Sequence, residues 1–302
     1  MRIRTVIKQL GYFPNQAAQI LKGKGTKTIG LIVPSIADPF FSSCAEAIEK
    51  VARSHECLLI VATSNDNPDL EMDHLNALIR HRADGLLLSP ANSRSNNLAK
   101  FLSRLAIPLV SFDRPVANAA ISSVMSNNYV GARTAARHLI SHGYKRILCL
   151  AGDTTLYTTT ERIRGYRHAM EKAGLACMID TNTTDYKSTE RAIEHHMWSP
   201  KPPQAIFTLK NLSTIYAFQV LQKLKVKIPE KVALLGFDDF ELAATLQPPV
   251  SVVQQLVEDL GRIAAQLIFK EMASNRRGKP ERIKLETHLV LRDSCGCSTG
   301  GS

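Results

Sequence analysis

Nothing in this sequence approaches the ~18–20 consecutive apolar residues of a membrane-spanning helix. The opening stretch, MRIRTVIKQLGYFPNQ, has no apolar core followed by a small-residue cleavage site, so it does not read as a secretory signal. Cysteines at 44, 57, 149, 177, 295 and 297 lie in or beside apolar runs. They are expected to be reduced, mostly buried thiols of a cytoplasmic protein. Catalytic signatures are also missing. Gly23, Gly25 and Gly30 precede an apolar run instead of following it, which excludes a dinucleotide turn, and neither a P-loop lysine motif nor G-x-S-x-G occurs. His138 and His142 have the i, i+4 spacing of a metal pair, but no carboxylate or cysteine close in sequence completes a set. Cys295-Gly-Cys297 lacks the two-residue spacer of common zinc or redox pairs and lies in a glycine- and serine-rich tail that is expected to fray. No enzyme activity, cofactor or metal is therefore expected.

Acidic residues are absent from one place in particular. Residues 1–28 carry Arg2, Arg4, Lys8, Lys22, Lys24 and Lys27 and no Asp or Glu, within a chain whose formal net charge is +11. A basic segment ahead of a nearly neutral body is either an electrostatic footprint for a polyanion or a solvated tail.

What is present is a regular alternation. Length (302 residues) suggests two domains, and an apolar fraction of 44% leaves ample material for their cores. Apolar runs at 28–35, 57–64, 85–90 and 108–113 are separated by helical patterns at 40–54 and 68–82 and by a third after residue 90. After a helix at 129–142 the series restarts, with runs at 146–153, 178–180, 205–210 and 232–239 and helices at 161–173, 188–198 and 212–224. A connecting strand at 248–253, an amphipathic helix at 255–273 and a last strand at 283–291 follow. Runs that are apolar throughout, and not alternating, fit strands covered on both faces of a parallel sheet. The expected fold class is α/β, with two similar doubly wound lobes in tandem.

In such sheets ligands bind beyond the carboxyl ends of the strands. Those ends carry Asp38-Pro39-Phe40-Phe41, Asp113-Arg114, the 152–164 segment and Asp238-Asp239. Rings that cover C–H faces, with carboxylates and guanidinium groups that pair with vicinal hydroxyls, suit a polyol.

The stretch LGYFPNQAAQILKGKGTKTIGLIVPSIADPFF (10–41) resembles the LacI/GalR family of bacterial transcriptional repressors. The resemblance continues through SFDRP (111–115), ERIRGYRHAM (161–170), PPQAIFT (202–208) and VALLGFDDFELAATLQPPVSVVQQ (232–255). It implies a periplasmic-binding-protein-like type I fold of two lobes joined by three crossovers, near 125–128, 248–253 and 275–283. It divides the chain into a headpiece and hinge remnant (1–27), an N-terminal lobe (28–126 plus 254–278), a C-terminal lobe (127–250 plus 282–292) and a flexible tail (293–302). By the same resemblance, Phe40 and Phe41 are stacking aromatics, Asp113 and Arg114 a hydroxyl-binding pair, Arg162 an effector arginine, Asp238 a cleft carboxylate and Gln255 a polar cleft residue. Lys210-Asn211 stands where the family commonly has Asn-Asp. Lys210 then either favours an anionic effector, a sugar acid or sugar phosphate over a neutral sugar, or turns to solvent.

The family's helix-turn-helix is expected to be truncated here, with 1–10 resembling its last helix and 14–22 the hinge helix that enters the minor groove. Asn15, Ala18, Leu21 and Lys22 are the implied hinge residues, with Leu21 at the position of the base-wedging leucine. The resemblance thus implies a ligand-responsive repressor with operator DNA as partner in its full-length form, a homodimer or tetramer. Helices 42–54 and 69–82 are the expected two-fold surface. The alternative is a sugar-binding protein of the transport or chemoreceptor class with the same core.

Overall fold

The computed structural model describes residues 25–274 and 279–297. Two six-stranded sheets organise the chain. In the first the strand order is β11-β5-β4-β3-β1-β2, from β1 (Thr28–Val33), β2 (Leu58–Thr63), β3 (Gly85–Leu88), β4 (Leu109–Phe112), β5 (Ser122–Ser126) and β11 (Arg282–Leu285). In the second it is β12-β10-β9-β8-β6-β7, from β6 (Ile147–Leu150), β7 (Met178–Asp180), β8 (Ala205–Thr208), β9 (Ala233–Phe237), β10 (Ser251–Gln255) and β12 (Thr287–Val290). Every described pairing is parallel except β10 with β12. Lobe one carries α1 (Pro39–Ser54), α2 (Pro68–Arg80), α3 (Asn96–Ser103) and α8 (Val257–Ala273). Lobe two carries α4 (Asn128–Ser141), α5 (Tyr157–Lys172), α6 (Tyr186–Met197) and α7 (Asn211–Lys223).

The inner strands are buried on both faces, as unbroken apolar runs require: Ile29, Leu31, Ile32 and Val33 of β1 have no exposed surface. Each such side chain contributes roughly 1.5–3 kcal/mol by leaving water. Local chemistry starts the helices where the strands let go. Asp38 caps α1 by accepting from Phe40 N–H, and Pro39 occupies the first turn, where its missing N–H costs nothing. Asn67-Pro68 repeats the device at α2, and Asp185 and Ser188 form a reciprocal capping box at α6.

Several expectations are corrected. The run at 57–64 is an outer edge and not a buried strand: Leu58 is 65% exposed, and Ile60 and Val61 are exposed too. The strand β5 was not anticipated, because its Ser-Ser-Val-Met-Ser composition carries little apolar signal although all five residues are buried. The run at 248–253 is not a crossover, because Ser251–Val253 pair with Leu235–Phe237 inside lobe two. The last strand is two strands: Arg282–Leu285 pair with β5 in lobe one, and Thr287–Val290 with β10 in lobe two. The chain therefore changes lobe at Asn127, Leu256 and Glu286. The stripes on α1 and α2 face inward, with Cys44 and Ile48 packing beneath α8 and Leu75 and Leu78 in the core of lobe one. The tail is packed through residue 297. Ser294 and Cys295 are fully buried, and Ser294 Oγ donates to Leu234 O at 2.6 Å. Residues 298–302 lie outside the described residues, as do the implied hinge residues Asn15, Ala18, Leu21 and Lys22.

Candidate functional site

Two aspartates mark the carboxyl ends of corresponding strands. Asp113 follows β4 and Asp238 follows β9, and both sit in the left-handed region, at φ 61° and 71°. Such a backbone is uncommon outside glycine, and Asp and Asn tolerate it best. Each aspartate N–H is held by the neighbouring strand, donating to Val124 O and to Val253 O at 2.9 Å.

Arg162 organises the lobe-two side. It lies on the buried face of α5, one turn before Gly165. A β-carbon at Gly165 would stand 2.3 Å from Tyr129 O, so glycine is what allows α5 to close against α4. The buried Arg162 guanidinium donates from Nε to Asn128 Oδ1 (2.7 Å), from Nη1 to Leu209 O (2.6 Å), and from Nη1 and Nη2 to the two Asp238 oxygens (3.1 and 3.4 Å). It also stacks over the Phe237 ring, 3.7 Å from its centroid. Gln255, at the end of β10, donates its amide to Asp238 Oδ1, while its Oε1 is buried with no hydrogen-bond partner among the described residues.

On the lobe-one side Asp113 is buried, and burial pushes its carboxyl up to about 6. Arg114 and Arg162 oppose that rise, and Asp238 and Asp38 add to it. The aspartate therefore senses both the cation and the carboxylate of the other lobe. Arg114 lies 3.4 Å from Asp113 through Nε, but its Nη1 reaches inward to Asp66 Oδ1 (2.5 Å) and Pro90 O (3.2 Å). Its main partners are thus structural. Asp38 bridges the lobes: Asn211 donates to its Oδ1 at 3.2 Å, and Lys210 Nζ lies 3.4 Å from its Oδ2. Lys210 is half-exposed and paired, so it is neither fully turned to solvent nor an unopposed charge.

An open groove of about 720 Å³ adjoins this cluster. Phe40, Asp238 and Gln255 line it, together with Pro39, Phe240 and Val257. Phe41 does not; it belongs to the lobe-one core, edge-on to Phe40 at 5.0 Å. Asp113, Arg114, Arg162 and Lys210 also lie outside the groove lining. The charged cluster, and not the groove alone, holds the groups that can discriminate a ligand. Asp38 and Asn211 stand where the strand-end reading places them, but their pairing across the lobes, and the role of Asn128, carry no signal until the lobes meet. Ser64 and Ser89, just past the ends of β2 and β3, were missed; their buried hydroxyls have no partner among the described residues.

Two doubly wound lobes joined by three crossovers, with polar groups of both lobes converging at strand ends, define a core of the periplasmic-binding-protein-like type. Residues 26–292 match the family described as periplasmic binding proteins and sugar binding domain of LacI family, and the chain belongs to that family. It is 27% identical over 296 residues to a ribose operon repressor of Haemophilus influenzae, covering 97% of this chain and 88% of the relative. It is 30% identical over 303 residues to the transcriptional regulator CelR of Thermobifida fusca, with 97% and 88% covered. A solved CelR–cellobiose complex superposes with a TM-score of 0.79 at 28% identity, covering 97% of this chain and 89% of that one. These relatives are transcriptional regulators and not enzymes. Among the described residues no helix is long and apolar enough to cross a membrane.

Proposed function

We propose that this protein is a ligand-responsive transcriptional repressor that binds a neutral, sugar-like polyol between its lobes. The observation that carries this reading is the convergence of Asp113 from lobe one with Arg162, Asp238 and Gln255 from lobe two, including the unpartnered Gln255 Oε1. A buried acceptor without a partner costs free energy that a ligand hydroxyl would recover. Arg162, Arg114 and Lys210 each face a carboxylate, which favours a neutral polyol over a sugar acid or sugar phosphate. The cellobiose bound by a structural relative agrees with that class.

Ligand binding would hold the lobes together through groups from both sides. The change in lobe spacing would then be read out in a dimer, where it sets whether two N-terminal segments reach operator DNA together. The exposed apolar side chains of β2, Leu58, Ile60 and Val61, suit contact with a second copy. A cytoplasmic setting follows from a role on DNA. Calorimetry against hexoses, pentoses, disaccharides, sugar acids and sugar phosphates tests the reading. Micromolar or tighter binding of a neutral sugar, weakened at least about tenfold by Asp238→Asn, is expected. Binding that survives this substitution unchanged sinks the proposed site.

A further inference from the structure

The fold brings together four side chains far apart in sequence. His138 and His142 stand one turn apart at the end of α4, the rings 4.7 Å apart. The segment after β12 lays Cys295 and Cys297 against them. Cys295 Sγ lies 3.3 Å from His138 Nε2, and Cys297 Sγ lies 3.5 Å from the same nitrogen and 3.2 Å from His142 Nε2. The donor atoms of His138, His142 and Cys297 all lie within 4.8 Å of one another. The cysteine that joins the histidine pair is distant in sequence, which is why the i, i+4 spacing by itself points to no complete set.

The cluster is held by its surroundings. Arg292 is fixed by Asp239 and by Val250 O, and Ser294 by Leu234 O and Ser251 N. Gly296 then reverses the chain at φ 90°, which lets Cys295 and Cys297 face the same histidine. Cys295 Sγ also reaches Arg292 O at 3.4 Å and Cys297 Sγ the ring of His142, yet the single Nε2 of His138 faces both sulfurs and can satisfy only one of them by a hydrogen bond. One cation between His138, His142 and Cys297 serves all three donors, with Cys295 beside it at His138. Zinc–sulfur and zinc–nitrogen bonds of about 2.3 and 2.0–2.1 Å at tetrahedral angles place S and N about 3.5 Å apart, close to the separations found.

We propose that His138, His142 and Cys297, with Cys295 as fourth ligand, form a structural site for a thiophilic tetrahedral cation, Zn²⁺ foremost. Imidazole and thiolate donors select such an ion over Mg²⁺ or Ca²⁺. The two thiols give up their protons on binding. At about 1.5 Å per residue, the length of α4 separates the site from Asn128 at the cleft by about 20 Å. The ion would therefore staple the C-terminal segment to lobe two without touching the effector.

The test uses the full chain, reduced and freed of metal by chelation, titrated with Co²⁺ as a spectroscopic probe and then with Zn²⁺. Expected are one equivalent per chain, the intense visible absorption of tetrahedral thiolate-bound Co²⁺, its displacement by Zn²⁺, and a thermal midpoint raised by Zn²⁺ but not by Mg²⁺. Cys297→Ser and His142→Gln, both outside the buried core, should each weaken Co²⁺ binding at least about tenfold. Cys177→Ser, an exposed thiol elsewhere in lobe two, should leave it unchanged. Failure to take up one equivalent, an octahedral spectrum without thiolate bands, or full binding by folded Cys297→Ser and His142→Gln would each overturn the proposal.

Discussion

Asp113 and Asp238 occupy the same station in the two lobes. Each follows a phenylalanine that closes a fully buried strand, each has a left-handed backbone, and each gives its N–H to a valine carbonyl of the neighbouring strand. Two tandem lobes thus present one carboxylate apiece. Asp238 reaches the cleft already paired with Arg162, while Asp113, 3.4 Å from Arg114 Nε, has its carboxyl raised mainly by burial.

Loss of either carboxylate should therefore cost affinity. Asp113→Asn and Asp238→Asn each remove a charge-assisted hydrogen bond to a ligand hydroxyl, about 1.5–3 kcal/mol or roughly 10- to 150-fold in Kd. Calorimetry with the best sugar ligand measures this. If both variants lose stability while keeping full affinity, the aspartates are structural.

The raised carboxyl of Asp113 makes two pH effects run in opposite directions. Its value rises from 3.8 to about 6 on folding, so the folded chain holds this proton more tightly. The corresponding stabilisation is complete below 3.8 and disappears as pH rises through about 6. Ligand affinity should increase over the same interval, as the carboxylate becomes an acceptor. Asp113→Asn should flatten that affinity profile. Glu71, which burial raises to about 7 against the pull of Ala91 N–H, supplies the control: Glu71→Gln should leave the ligand profile in place.

Arg162 has a structural load as well as a recognition role. Arg162→Met strips the partners from Asn128 and Leu209 O and leaves Asp238 buried opposite an apolar side chain, at a cost of roughly 3–5 kcal/mol. Thermal unfolding should show a clear fall in Tm alongside the loss of binding. An unchanged Tm would mean that Asp238 relaxes toward solvent.

Lys210→Asn separates the ligand classes. With Lys210 paired to Asp38 at a half-exposed position, its removal should change neutral-sugar affinity by less than about 1 kcal/mol. A selective loss for sugar acids or sugar phosphates would instead show that Lys210 reads ligand charge.

DNA binding through residues 1–28 should fall steeply with salt, because they offer six cations and no acid. Fluorescence anisotropy across a salt series measures the slope. Affinity that does not change between low and physiological salt contradicts the expectation.

The linear order of residues was enough to determine the doubly wound class, the tandem lobes and most of the strand-end positions. Buried parallel strands announce themselves as unbroken apolar runs, and Asp-Pro and Asn-Pro announce helix starts. Tertiary structure alone decided the rest. β5 is a strand because its neighbours bury its serines, not because of its own hydrophobicity. The division of 282–290 between two sheets depends on which edge each half can pair with, and Glu286 is where those edges part. Lys210 is compensated because Asp38, 172 residues earlier, is brought to it by the meeting of the lobes. Cys297 completes a ligand set for two histidines more than 150 residues away because residues 292–295 are pinned along β9 and β10. Contacts of that range arise from how the sheets pack and close, which no local spacing records.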